Sequence, residues 1–384
     1  TASQKPYAHP FPTANNLLMH HRLKLLLAIL TALVSFTACK KEDTTTTTTT
    51  GSTTSNPDPI AVTACTSATG IAKVICLADA FKSQLDGTQV STLQRTYSVA
   101  DAKKWSNLPQ GLVQSANKRV GLSFGSLTTT QIQYAKALVQ EISGTTANEG
   151  WDEIQQLLNA DEYLAANGGG STYGAANYYI AFLGTPATTG TFEIQFGGHH
   201  LACASTYKDG VLTGATPAFR GVEPFASFTL NGTTNQPLVQ EKDALSAMLT
   251  GLSTTEQATA KLSSTFSDLV VGPQQDGNFP TTAVGIKGSA LTATERALVL
   301  AAIKTYVYDI DDADAATIMA KYTSELDNTY VSFSGNTSLI NRNDYVRIDG
   351  PSVWIEYSCQ NGIVLSPTHP HSVWRDKTKD YGGN

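Results

Sequence analysis

The chain has 384 residues, a formal net charge of −6 and only 15% charged side chains. Its charges form no long basic blocks, which argues against a nucleic-acid surface, since that needs a basic patch or stripe. The length allows one large core or two modest ones.

Residues 1–18 are rich in Pro, Ala and Asn and lack periodicity; they are expected to be upstream sequence, with Met19 as the start. His20, His21, Arg22 and Lys24 then lead into a nearly uncharged apolar run, Leu25 to Thr37, that closes at Ala38-Cys39. This run is shorter than the roughly 20 residues a spanning helix needs, and its layout makes 19–38 a secretory signal. The ending Ser35 to Cys39 resembles a lipoprotein processing box, which implies cleavage before Cys39 and acylation of its thiol. Residues 39–60 contain seven consecutive threonines and almost no apolar side chains. Such a stretch cannot repay the entropy of ordering and is expected to be a disordered tether. Lys41-Glu42-Asp43 resembles the export signal of surface-displayed lipoproteins. The expected location is the cell envelope, at the outer membrane and facing outward, with the lipid anchor as the contact with the membrane.

Residues 61–384 are expected to form a single large α+β domain. Besides Cys39 the chain has Cys65, Cys76, Cys203 and Cys359. An even number outside the cytoplasm suggests disulfides. Cys65 and Cys76 are close enough for a local staple. Cys203 and Cys359 then pair, stay free or bind metal, with a disulfide as the default.

Thr69 to Leu85 has apolar residues at helical spacing. Helices are also expected from Gly150 to Ala166, Lys242 to Leu252 and Asp312 to Asp327. Three more share one start: Thr128 with Gln131, Ser253 with Glu256 and Thr292 with Glu295 are capping boxes, each preceded by a leucine. These should run to about Ser143, Ser267 and Tyr308. The acidic run Asp309 to Asp314 suits a helix N-terminus better than a calcium loop, because it lacks that loop's glycine and terminal Glu. Strands are expected at Thr191 to Ser205, Tyr330 to Ser334, Asp344 to Asp349 and Ser352 to Gln360, the last two joined through Gly350-Pro351. Helices and strands segregate along the chain, so the class is α+β with a mixed or antiparallel sheet.

Of seven histidines, four follow Cys39: His199, His200, His369 and His371. They fall in two pairs. Imidazole is the commonest protein ligand for zinc, copper and related ions. Pro370 pushes His369 toward an extended backbone, in which residues two apart share a face, so His369 and His371 can address one ion. His199 and His200 face opposite ways in a regular strand, but Gly197-Gly198 permits a bulge that re-aims one ring. Glu356 sits among apolar strand residues and needs a partner, which Arg347, Arg375 or a metal supplies. Asp376 lies close enough in sequence to orient a ligand imidazole. The competing readings are a non-metal polar site and a purely structural set of histidines, with Arg375 and Glu356 as an ion pair.

Five segments carry a resemblance: Asn177 to Pro186, Phe196-Gly197-Gly198-His199-His200-Leu201, Thr216 to Pro224, Ile355-Glu356-Tyr357, and His369 to Asp376. Together they resemble the family called domain of unknown function 3500, over roughly Cys65 to Gly383. Members carry Gly-Gly-His-His, Thr-Pro-x-Phe-x-Gly and an Ile-Glu-Tyr strand leading to His-x-His-[Ser/Thr]-Val-Trp-Arg-Asp. Where the family usually has Asp-Asn-Thr-Gln-Asn after Ile-Glu-Tyr, this chain has Ser358-Cys359-Gln360-Asn361. That departure puts a role for the missing acidic residue in doubt and favours a disulfide from Cys359 to Cys203. The resemblance sharpens the site and implies no reaction.

The functional expectation is an envelope lipoprotein with a divalent metal, zinc or copper, held by His199, His200, His369 and His371. Glu356, Arg375 and Asp376 would serve hydrolysis or redox chemistry on an unspecified small molecule. The alternatives are a non-catalytic metal- or ligand-binding surface protein and a structural surface protein.

Overall fold

The computed structural model describes residues 56–230, 232–365 and 368–383. The signal segment, the Cys39 lipidation site and most of the tether lie outside the described residues. The strands in chain order are β1 Gln94–Arg95, β2 Leu122–Ser123, β3 Tyr179–Leu183, β4 Thr191–Gly198, β5 Leu201–Lys208, β6 Val211–Gly214 and β7 Ala218–Gly221. They continue with β8 Phe228–Leu230, β9 Thr233–Asn235, β10 Ile286–Lys287, β11 Tyr330–Ser334, β12 Tyr345–Asp349, β13 Val353–Asn361 and β14 Thr368–Asp376. The helices are α1 Gly70–Lys82, α2 Gly87–Leu93, α3 Val99–Ala102, α4 Thr129–Glu141 and α5 Gly150–Leu164. After them come α6 Val239–Gly251, α7 Thr254–Ala260, α8 Ala293–Val307 and α9 Asp312–Glu325.

Among the described residues, twelve strands form one sheet in the order β1-β3-β4-β5-β7-β14-β13-β12-β11-β10, with β2 beside β3 and β6 beside β5. All neighbours are antiparallel except β1 and β3. The last strand of the described residues, β14, therefore lies in the middle of the sheet.

The two faces of the sheet differ in chemistry. One face carries Ile180, Phe182, Ile194, Phe196 and Leu201, which pack with α1, α4 and α5. The same face farther along carries Val346, Ile348, Ile355, Tyr357 and Trp374, which pack with α6, α8 and α9. The opposite face is more polar. It carries Glu356, Arg375, His371 and Gln195 beside a smaller apolar group of Ala181, Ala202, Phe219 and Val373. Chain from 97–120, which includes the short α3, and irregular chain from 262–280 cover this face. A buried polar face must be given hydrogen-bond partners, and loop backbone supplies them. Glu356 accepts from the Val270 and Val271 N–H groups, the Tyr345 hydroxyl at 2.6 Å and the Trp354 indole at 2.8 Å.

Helix starts follow local chemistry. The Thr128, Ser253 and Thr292 hydroxyls accept the N–H three residues on, while Gln131, Glu256 and Glu295 accept the cap's own N–H. Helix α7 ends at Ala260, earlier than the expected Ser267, because the sheet captures the chain: Leu262 N–H donates to Phe333 O at 2.7 Å. The Asp311 carboxylate caps α9 through the Ala313 and Asp314 N–H groups.

Cys65 and Cys76 form a disulfide, with Cα atoms 5.7 Å apart. Cys203 and Cys359 are free thiols, contrary to the expected pair. The reason is topological. Strands β7 and β14 lie between β5 and β13. Three steps across a sheet cover about 14 Å, twice the roughly 7 Å that a disulfide spans.

Glu356 is the anchor of the covering segment. Replacing it with Ala strands four donors, so Glu356→Ala is expected to lower stability by about 3–5 kcal/mol in urea unfolding. Hydrogen exchange should show the Val270 and Val271 amides losing protection; unchanged protection there would refute the anchoring role.

Candidate metal centre

The Gly-Gly-His-His segment is not one bulged strand. Gly198 pairs with Leu201, so His199-His200 is a two-residue turn between β4 and β5. His200 has φ 60, a left-handed value uncommon for residues other than glycine. The two glycines answer to space: a Cβ on Gly197 would sit 2.4 Å from Leu201 O, and one on Gly198 2.6 Å from the Tyr178 ring. The turn is held from outside. Tyr178 OH donates to His199 O at 2.6 Å, and the Arg119 guanidinium donates to Gly198 O.

This turn brings His200 to β14. Gly221 N–H donates to His200 O at 2.8 Å, and Gly221 is the register partner of His371. A Cβ on Gly221 would lie 2.9 Å from the His371 ring and 3.1 Å from the His200 ring. A glycine there lets the imidazoles meet. His369 and His371, two apart on an extended strand, share a face as expected.

Three imidazoles then converge through the same atom. His200 Nε2 lies 2.7 Å from His369 Nε2, which lies 3.1 Å from His371 Nε2. All three residues are buried. Two of the rings are held from behind: His371 Nδ1 is 3.0 Å from Asp268 Oδ1, and His369 Nδ1 is 3.3 Å from Asn361 O. A carboxylate and a carbonyl only accept, so both Nδ1 atoms carry a proton, which in a neutral ring leaves Nε2 bare. In those neutral tautomers two lone pairs face each other at 3.1 Å, and a cation between them turns repulsion into bonding. Tetrahedral zinc, at about 2.0–2.1 Å from each nitrogen, spaces its ligands by about 3.3 Å. The 2.7 and 3.1 Å gaps need to open by about 0.6 and 0.2 Å to fit.

Electrostatics favour neutral, ligand-ready rings. Burial, then His371 and His199, pushes His369 down to about 3. Burial and the neighbouring histidines hold His200 well below the usual histidine value.

His199 does not join the trio. Its Nδ1 bonds Asp161 Oδ1 at 2.6 Å, its ring stacks on His200 at 3.6 Å, and the Tyr173 ring meets it edge-on at 4.8 Å. The three expected catalytic residues also go elsewhere. Glu356 shares the histidines' face of the sheet, but its oxygens are committed to the 270–271 backbone, Tyr345 and Trp354. Arg375 pairs with Asp276 and with Asp380 at 2.8 Å. Asp376 points to the helical face, where it accepts from Tyr322 OH at 2.9 Å and from the Thr378 hydroxyl. The carboxylate that meets a ring of the trio is Asp268, not Asp376.

Asp268, Asp161, Arg119 and Glu223 were not foreseen. Glu223 accepts from the Val364 and Leu365 N–H groups and so fixes the loop whose Asn361 carbonyl meets His369. Asp161 had a readable signal. It falls in the apolar stripe of α5 with Ile154, Leu157, Leu158 and Leu164, where a carboxylate needs a partner. Asp268 lies on irregular chain that offers no such pattern.

The profile of the family described as "Protein of unknown function (DUF3500)" matches residues 67–383. No curated protein and no solved structure matches the chain.

The depressed histidines make stability depend on pH. In the unfolded chain a histidine takes its proton near 6.5, whereas folded His369 resists protonation down to about 3. Its contribution is therefore complete above about 6.5 and is lost as pH falls, at about 1.4 kcal/mol per pH unit. In metal-free protein, His369→Asn should flatten the pH dependence of urea unfolding between about pH 6 and 4 by roughly one proton. Equal slopes would show that His369 is not held neutral by the fold.

Proposed function

The chain belongs to the DUF3500 family, whose description carries no activity, and we propose from its own side chains that it holds one transition-metal ion, zinc or copper. The ligands are His200, His369 and His371. The observation that carries this reading is the convergence of three Nε2 atoms while Asp268 and Asn361 fasten the far side of two rings. An all-imidazole, neutral set suits zinc and copper, and three protein ligands leave a further position for substrate or water.

We assign the centre to hydrolysis or oxidation of a small molecule. A zinc ion supplies water acidified to a pKa near 7, and copper supplies one-electron exchange. His199 is placed to take a proton there: Asp161 holds its Nδ1 at 2.6 Å, and its ring lies against His200. Tyr173, partly exposed, closes over His199. The burial of all three ligands favours a second reading, a site that holds metal without turnover.

We place the protein outside the cytoplasm, lipid-anchored at Cys39. The processing box and the Cys65–Cys76 disulfide support this. Incorporation of a tagged palmitate, lost in Cys39→Ser, is the expected result; equal labelling of the variant would exclude that anchor.

Metal analysis of purified protein should find about one equivalent of zinc or copper, absent from a folded His369→Ala/His371→Ala variant. Asp268→Ala should weaken the metal by about 10–100-fold while the protein stays folded. No metal in the wild type after reconstitution would end the proposal. Cobalt-substituted protein separates the two functional readings: a visible spectrum that shifts on adding azide indicates an open position, and one that does not indicates a closed store.

A further inference from the structure

A second cluster lies on the opposite face of the same strands. Arg220 and Gly221 are consecutive on β7, so Arg220 projects away from the histidines. Its guanidinium meets Glu153, and Asp309 Oδ2 at 2.8 Å. Glu149 and Glu153, at the start of α5, and Glu241, in the first turn of α6, each bring a carboxylate oxygen within 4.8 Å of the other two. Their exposures are 5% for Glu149 and 0% for both Glu153 and Glu241. Asp309 is buried beside them.

Four enclosed carboxylates thus surround one guanidinium. Two of them have other work: Glu153 Oε1 accepts Leu238 N–H at 2.9 Å, and Asp309 Oδ1 accepts Gly150 N–H at 2.9 Å. Glu241 has none. Both of its oxygens are sealed from solvent and neither accepts a hydrogen bond; Glu149 Oε2 is in the same condition. A buried carboxylate in that state takes either a proton or a cation.

We propose that Glu149, Glu153 and Glu241 bind a hard divalent cation of the calcium, magnesium or manganese class. The donor set is all oxygen, which suits these ions and not the ones that imidazole prefers. The spacing agrees: oxygens on opposite sides of such an ion stand about 4–5 Å apart. The ion joins the start of α5 to the start of α6, and with Arg220 it offsets three of the four carboxylate charges beneath β7. Histidines on one face and carboxylates on the other sort ions by chemical class.

The test uses the full chain carrying His369→Ala/His371→Ala, so that the imidazole site cannot contribute. Protein stripped with EDTA is refolded from urea with calcium or manganese chloride and desalted. The expected result is about one equivalent of retained ion and a melting temperature raised by about 4 °C when free ion is near 100-fold above Kd. Adding Glu241→Gln, which keeps the shape and removes the charge, should abolish both; Glu149→Gln serves if that protein does not refold. The proposal is overturned if the parent retains no calcium or manganese. It is equally overturned if the Gln variant retains as much, or melts at or above the parent whatever ion is added. Those outcomes would mean that the carboxyls are held by protons.

Discussion

Strand β14 is buried on both faces, and that constraint organises the molecule. Eight of its nine residues, all but Thr368, are buried, including four ionisable ones. A strand in that position cannot turn its polar residues toward water. Each must meet a partner that another part of the chain delivers. His369 and His371 meet His200 and Asp268; Arg375 meets Asp276 and Asp380; Asp376 meets Tyr322. The covering segment at 262–280 supplies several of these partners. It is pinned by Glu356, which accepts from its Val270 and Val271 N–H groups.

The period of two along a strand then divides the chemistry. On β7, Arg220 serves one face and Gly221 leaves room on the other. On β14, Ser372 meets Tyr306 on the helical side, next to His371, which points away. The imidazole cluster and the carboxylate cluster therefore stand back to back through one layer of backbone. In the absence of a cation, burial and neighbouring carboxylates push Glu149 up to about 9 and Glu241 well above the carboxylate range.

Much of this was legible in the sequence. Helix starts are local, and a hydroxyl three residues before Gln or Glu carries its own reason. The His-Pro-His spacing already implied a shared face. The turn at His199-His200 was harder to read, because it depends on Tyr178 and Arg119 holding a strained residue from outside. Glu356 was misassigned for a physical reason. A carboxylate inside an apolar strand announces that it has a partner, but not whether that partner is a metal or a run of backbone amides. The buried acids could have been found. Glu153, Asp161 and Glu241 all lie on the apolar stripes of their helices, next to Leu157, Leu158 and Leu245.

The sheet order has a consequence for how the molecule is made. Strands β3 to β7 come from the first part of the chain and β10 to β13 from the last; β14 joins the two groups by pairing with β7. A growing chain can close the β4–β5 hairpin early, but His369 and His371 emerge only after the other strands of the sheet. Until that strand slots into the gap, His200 waits alone. The histidine trio is therefore a mark that β14 has paired: a chain that has not reached β14 offers one imidazole of the trio where the assembled sheet offers three.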